Sequence, residues 1–174
     1  MGVLKLVRSW PARIPAGRSY VVDQVERIVI KNHDYHALRG LGDVLLLEWD
    51  IAVSKEDLER FAAVAAEGSS DVLVAPYTLY VPDPVWAHRS WPGGITPEGA
   101  APVETGAAFC NLFGLGMTYL PGELVEGFCE SGWASHFGDV EFSLWHYHNV
   151  KKQVPIAWDV RPVHLNHPGV HRVG

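Results

Sequence analysis

Three places in the chain set two carboxylates one residue apart: Glu48/Asp50, Asp57/Glu59 and Asp139/Glu141. The first has the most chemical potential. Glu48-Trp49-Asp50 follows the continuous apolar run Val44 to Leu47, which reads as a strand buried on both faces. In open parallel sheets, ligands bind beyond the carboxyl ends of the strands. Two carboxylates there can hold Mg²⁺ or Mn²⁺, hard cations that take oxygen ligands and keep positions open for substrate phosphate oxygens. The bland reading is a polar strand end leading into the next helix. Asp57/Glu59 reads as the solvated face of a helix. Asp139, within Gly138-Asp139-Val140-Glu141-Phe142, is either a helix N-cap or a general base for a substrate hydroxyl.

Nine histidines offer further ligands, among them His146, His148, His164, His167 and His171. His164, His167 and His171 have the spacing of one helical face, but Pro162, Pro168 and Gly169 rule out a continuous helix there. His164 can still give one imidazole to a metal, while His146 and His148 would diverge on a helix. Of seven tryptophans, Trp86, Trp91 and Trp133 sit in loop-like sequence, where an indole can stack on a sugar or a base. Cys110 and Cys129 are too few for a disulfide framework or a thiolate metal site, and read as small buried apolar residues in a reducing compartment.

These side chains need elements to position them. The chain has 174 residues, 48% hydrophobic and 20% charged, a length and composition suited to one globular domain over residues 1–174. Lys+Arg 14 against Asp+Glu 20 gives a net charge of -6, so no basic field exists to hold nucleic acid. No apolar run is long enough for a membrane span, and the start lacks a signal-peptide core, which predicts a soluble cytoplasmic protein. Val3 to Val7, Arg27 to Ile30, Val44 to Leu47, Asp71 to Ala75 and Val154 to Val160 read as strands. Ser54 caps a helix with Leu58, Phe61, Ala62 and Ala65 on its apolar face and Gly68 at its stop. Pro121 is placed to open a second helix through Phe128, and Asp139 to cap a third with Val140, Leu144 and Tyr147 on one stripe. A Pro/Gly/Trp-rich stretch at about 81–106 reads as an irregular loop on the substrate side. The expected architecture is α/β, a mostly parallel central sheet flanked by helices.

Taken in order, the motifs resemble a GT-A-type nucleotide-sugar glycosyltransferase, with a family-two-like motif order. Gly42-Asp-Val-Leu-Leu-Leu-Glu-Trp-Asp-Ile51 is similar to the strand leading into that family's Asp-x-Asp motif, with Glu48 in place of the first Asp. The Ser54 to Glu67 helix and the Asp71 to Ala75 strand follow in the family's order. Glu104-Thr-Gly-Ala-Ala, Phe113-Gly-Leu-Gly-Met and the Pro121 to Phe128 helix resemble its Gly-rich acceptor-side segment. Phe137-Gly-Asp-Val-Glu-Phe-Ser-Leu-Trp145 resembles its Glu-Asp helix, and Val160-Arg-Pro-Val-His164 its late strand ending in a metal-site His. Gly138 stands where Glu is usual and Trp145 where Arg is common. Only 47 residues precede Glu48, so the resemblance implies a reduced, Rossmann-related version of the fold with a shortened N-terminal part.

The resemblance implies an inverting, metal-dependent transferase that moves a sugar from a nucleoside-diphosphate sugar to a glycan, protein or lipid hydroxyl. Asp139 would be the catalytic base, and Asp50 with His164 would hold Mn²⁺ or Mg²⁺. Glu48, Asp50, Arg13, Asn32, Asp34 and Arg39 are the donor-binding candidates. Glu141, Trp91, Trp133 and Gly106 are those for the acceptor. Two other classes stay open on the residues alone: a non-catalytic carbohydrate- or partner-binding module and a metal-dependent hydrolase. Oligomeric state is open as well.

Overall fold

A computed structural model describes residues 5–10, 19–22, 25–31, 34–68, 71–80, 84–90, 100–150 and 153–164. Strand β1 (Lys5–Trp10) is followed by β2 (Ser19–Val22) and β3 (Val25–Lys31), a 3₁₀ turn (Tyr35–Leu38), β4 (Val44–Leu47) and β5 (Ile51–Ala52). Helix α1 (Lys55–Gly68) leads to β6 (Leu73–Val74), then β7 (Thr78–Tyr80), β8 (Pro84–Trp86), β9 (Arg89–Ser90), β10 (Ala101–Pro102) and β11 (Phe109–Cys110). After β12 (Met117–Leu120) come α2 (Gly122–Ser131), α3 (Asp139–Trp145), a wider π-type turn (His146–Val150), β13 (Val154–Pro155) and β14 (Val163–His164).

Six strands form the central sheet, in the order β2-β3-β1-β4-β12-β6. The sheet is mixed, which corrects the mostly parallel arrangement expected from the sequence. β1 runs parallel to β3 and β4, but β12 lies antiparallel between β4 and β6, and β2 is antiparallel to β3. The expected strand, helix, strand unit from Val44 to Ala75 is present, and its two strands run in the same direction. Its partners are not neighbours, because β12 fills the gap between them. That insertion is a long-range pairing, to which local apolar patterning is blind.

Alternation along β4 divides the core in two. Val44 and Leu46 face a cluster that includes Tyr35, Val125, Phe128, Phe142 and Trp145, whereas Leu45 and Leu47 face one that includes Phe61 and Ala65 of α1. The sheet is therefore covered by α1 on one face and by α2 and α3 on the other. Helix α1 begins as its sequence dictates: Ser54 Oγ accepts the Asp57 N–H at 3.0 Å, with Glu56 and Asp57 in the first turn. Pro121 stands just before α2 instead of opening it, its carbonyl accepting the N–H groups of Leu124 and Val125. Gly132 ends that helix in the left-handed region at φ 64°.

Two further expectations change. The stretch from 81 to 106 is not wholly irregular, since β7 pairs with β8 and β9 with β10 in small antiparallel ribbons. In α3 the buried face is Phe142, Ser143 and Trp145, while Val140 is 53% exposed. The predicted Val140/Leu144 stripe thus looks away from the core. Among the described residues, no helix is long and apolar enough to cross a membrane.

Candidate functional site

A cleft of about 690 Å³ opens where β4 ends, lined by Glu48, Trp49 and Asp50, by Tyr77, by Arg89, by Asp139 and Val140 at the start of α3, and by His164. Four residues singled out in the sequence, spread over more than a hundred positions, therefore share one wall-to-wall space: Glu48, Asp50, Asp139 and His164. Their convergence has a local cause in each element. The Glu48 N–H donates to the Gly116 carbonyl at 2.8 Å and the Ile51 N–H to the Glu48 carbonyl at 3.1 Å, so the chain turns tightly at the strand end. β14 then pairs antiparallel with β5, setting His164 opposite Ile51. His164 Nε2 comes to 3.3 Å from Asp50 Oδ2.

Tyr77 supports that pair from below. Its ring stacks on His164 with centroids 5.9 Å apart and planes 17° from parallel. Its hydroxyl accepts the Gly116 N–H at 3.3 Å. The ring lies so close to Gly114 and Gly116 that a Cβ at either position would strike it, which gives the Gly-Leu-Gly segment a steric reason. Tyr77 also meets His88 in a T-shaped pair, centroids 5.4 Å apart. His88 is fully buried, and its Nε2 lies 2.8 Å from the Ala75 carbonyl, to which it donates. Burial holds the His88 imidazole down to about 4, in its neutral form.

Glu48 is held differently from Asp50. The Tyr35 hydroxyl donates to Glu48 Oε1 in a short hydrogen bond. Burial pushes the Glu48 carboxyl up to about 7 against the opposing pull of that hydrogen bond, and the charges of Asp139 and Asp50 push the same way. The Tyr77 phenol is pushed up as well, by burial first and then by the neighbouring carboxylates.

Asp139 is the first residue of α3 and not its cap, a position taken by Gly138. One of its oxygens accepts the Val140 N–H at 2.8 Å, and the residue is exposed at the cleft. Its other oxygen, Oδ2, lies 3.9 Å from where a Cβ on Gly114 would stand, and a carboxylate exposed at a cleft is of the type a general base needs. Ser143, one turn on, accepts the Phe113 N–H at 2.9 Å and ties α3 to the opposite wall.

Other sequence candidates fall elsewhere. Glu141 does not line the cleft; its carboxylate folds back over Gly138, where a Cβ would meet it. Arg39 is drawn to α2 by Glu126, at 2.9 Å, and by Glu130, so it does not serve the cleft. Asp34 is exposed at the start of the 3₁₀ turn, beside Tyr35. Trp133 is an exposed residue stacked on His148 outside the cleft, and Gly106 is exposed in a turn at φ 86°. Arg13, Asn32 and Trp91 lie outside the described residues. Cys110 is buried as expected, and Cys129 is half-buried.

Three residues were not picked out from the sequence: Tyr77 and Arg89, which line the cleft, and Tyr35, which bonds Glu48. Tyr77 lies two residues past the Asp71 to Ala75 strand, so the strand-end rule that found Asp50 would have reached it. Tyr35 neighbours Asp34 but carries no motif, and Arg89 sits in the Pro-rich stretch with no signal beyond its charge.

The donor set at Asp50 and His164, one carboxylate oxygen and one imidazole nitrogen lining the same cleft, fits a divalent cation of the Mn²⁺ or Mg²⁺ class. Among the described residues no three acidic, histidine or cysteine side chains gather to form a complete protein-only metal centre. A cation here would be completed by ligand oxygens and water.

No protein-family model matches the sequence, and no curated protein matches it. Among solved structures the chain is similar to the crystal structure of A197 from STIV, with a TM-score of 0.55 and 14% sequence identity, over 94% of this chain and 85% of that one. At that identity the likeness is one of fold, a mixed α/β architecture, and a fold by itself assigns no activity.

Proposed function

We propose that the protein is a metal-dependent glycosyltransferase that moves a sugar from a nucleoside-diphosphate sugar to a hydroxyl acceptor, with inversion at the anomeric carbon. The observation that carries this reading is the gathering of Glu48, Asp50, Asp139 and His164 round one cleft at the carboxyl end of β4. Their order in the chain is the motif order of the GT-A resemblance, and the A197 likeness supports a mixed α/β fold without bearing on activity.

In this reading Asp50 and His164 hold Mn²⁺ or Mg²⁺, which when bound would neutralise charge on the departing diphosphate. Tyr77 fixes the His164 ring by stacking, and Glu48, locked by Tyr35, shapes the donor side. The acceptor oxygen attacks the anomeric carbon from the face opposite the diphosphate, the bond from that carbon to the phosphate oxygen breaks, and the acceptor proton passes to Asp139. General-base assistance of this kind contributes roughly 10²- to 10⁴-fold. Val140 and Leu144, on the same cleft-facing side of α3, set an apolar surface beside the base.

The test is release of nucleoside diphosphate from a panel of sugar nucleotides with Mn²⁺, Mg²⁺ or EDTA, comparing the parent with Asp50→Ala. Metal-dependent release from one donor, lost in Asp50→Ala, is the expected result. Glycan binding that ignores EDTA and survives Asp50→Ala, with no release from any donor, would replace the transferase by a binding module.

A further inference from the structure

The described Lys and Arg side chains that make bonds make them with the protein itself. Lys5 donates to the Leu41 carbonyl, Arg8 to the Ile51 carbonyl, Arg39 pairs with Glu126, Lys55 with Glu59, and Arg60 with Asp57. Arg89 differs. It is the one arginine or lysine among the described residues lining the cleft, it is half-buried, and its guanidinium makes no hydrogen bond or ion pair with any described residue. Its root is nonetheless fixed from both sides. The Arg89 N–H donates to the Leu112 carbonyl at 2.8 Å, and its carbonyl accepts the N–H groups of Asn111 and Leu112 at 2.9 and 3.1 Å. The next residue, Phe113, is tied to Ser143 of α3, so Arg89 is coupled through the 111–113 segment to the helix that carries Asp139.

The three cleft carboxylates would be natural partners, yet each is engaged elsewhere: Glu48 with Tyr35, Asp50 with His164, Asp139 with the Val140 N–H. A half-buried guanidinium left with five N–H donors and a fixed root is organised for an acceptor from outside, and its planar fork matches the two oxygens of a carboxylate or phosphate. The surrounding carboxylates sharpen the demand, because they repel an anion that Arg89 does not hold.

We propose that Arg89 is an oxyanion-binding residue of the cleft, taking a phosphate or carboxylate group of the bound ligand. The oxyanion site stands on the cleft geometry alone, and its assignment to donor or acceptor rests on the glycosyltransferase reading. As a transferase, the enzyme would use Arg89 either on the donor diphosphate or on an acidic group of the acceptor.

The experiment is calorimetric titration of pyrophosphate and inorganic phosphate into the parent protein, Arg89→Gln, Arg89→Lys and Arg161→Gln, in EDTA at low ionic strength. Arg161 is exposed and outside the cleft, so its variant reports non-specific charge loss. Pyrophosphate is expected to bind the parent and Arg161→Gln alike, with affinity falling about tenfold or more in Arg89→Gln, in keeping with the loss of charge-assisted hydrogen bonds. Arg89→Lys is expected to fall between them, and serves as the readable variant if the glutamine protein does not fold. Equal affinity in Arg89→Gln and the parent, or no anion binding by the parent, would overturn the assignment. Nucleoside diphosphate compared with nucleoside then separates the sources. A penalty on the diphosphate in Arg89→Gln places the oxyanion on the donor; a penalty confined to glucuronate or glucose 6-phosphate places it on the acceptor. Anion binding through Arg89 without turnover of any sugar nucleotide would leave this site standing and remove the transferase.

Discussion

Replacing Gly116 with alanine would put a Cβ 2.7 Å from Cε1 and Cζ of Tyr77 and 3.1 Å from its hydroxyl oxygen. Carbon atoms rest at roughly 3.5 to 4.0 Å, so the ring would have to retreat by about 0.8 Å or more. It has little room to do so. Tyr77 is 5% exposed, with His164 stacked on its ring and His88 against it in a T-shaped pair. Gly116 is fixed too, its carbonyl accepting the Glu48 N–H at 2.8 Å. Its backbone is not in the positive-φ region that marks Gly40, Gly42, Gly106 and Gly132, so the whole cost comes from crowding. Overpacking of this kind typically costs about 1–3 kcal/mol. For a chain of this size that lowers Tm by roughly 2–12 °C.

The assay is urea or thermal unfolding of Gly116→Ala, Tyr77→Leu and the double variant. Leucine vacates the space the new methyl needs. The double variant should therefore be at least about 1 kcal/mol more stable than the sum of the single losses predicts. If Asp50 and His164 hold a cation as proposed, Mn²⁺ affinity should weaken in Gly116→Ala as well, because the displaced ring stacks on His164. A cost below about 0.5 kcal/mol for Gly116→Ala, or strict additivity with Tyr77→Leu, would refute the idea that this glycine makes room for the ring.

Stability should fall in acid through His88, whose imidazole is held down to about 4 against an ordinary 6.5. The unfolded chain binds the extra proton between those values, so the contribution is present above pH 6.5 and lost as the pH drops towards 4. Its full size is roughly 3 kcal/mol, and His88→Gln, which keeps a donor for the Ala75 carbonyl, should flatten that part of a Tm-against-pH curve. Phe142 is fully buried among Phe113, Phe128, Phe137 and Trp145; Phe142→Ala should cost about 3–5 kcal/mol in denaturant titration. A loss under 1 kcal/mol would mean that this aromatic cluster does not hold α3 to the sheet. On the proposed transferase reading, Asp139→Asn should reduce transfer by about 10²-fold or more while leaving nucleotide affinity unchanged. Equal transfer rates would remove the base assignment.

Much of the site was legible because strand ends and helix starts leave local marks. The apolar run Val44 to Leu47 announced a buried strand, and the acids that follow it had to emerge at its carboxyl end. Ser54 with its acidic first turn fixed the start of α1, as its hydrogen bond to Asp57 bears out. Val140 and Leu144 misled, because an apolar pair at helical spacing reads as core whether the surface it faces is a core or a cleft. Glu141 misled for a similar reason: two residues from Asp139 along the chain, it points back over Gly138. Arg39 carried the right charge for a donor phosphate but lies within reach of Glu126 on α2, a partner 87 residues away in the chain.

Residue type and near-neighbour spacing were enough to show which segments are apolar, where α1 starts and stops, and which carboxylates and imidazoles have the chemistry to take a cation or a proton. The tertiary structure decided what meets what. It inserted β12 between β4 and β6, returned β14 to β5 so that His164 reaches Asp50, stacked Tyr77 on that imidazole, and left Arg89 in the cleft without a side-chain partner among the described residues. Such contacts depend on strand register and on space shared by residues far apart in the chain, neither of which any local stretch of sequence records.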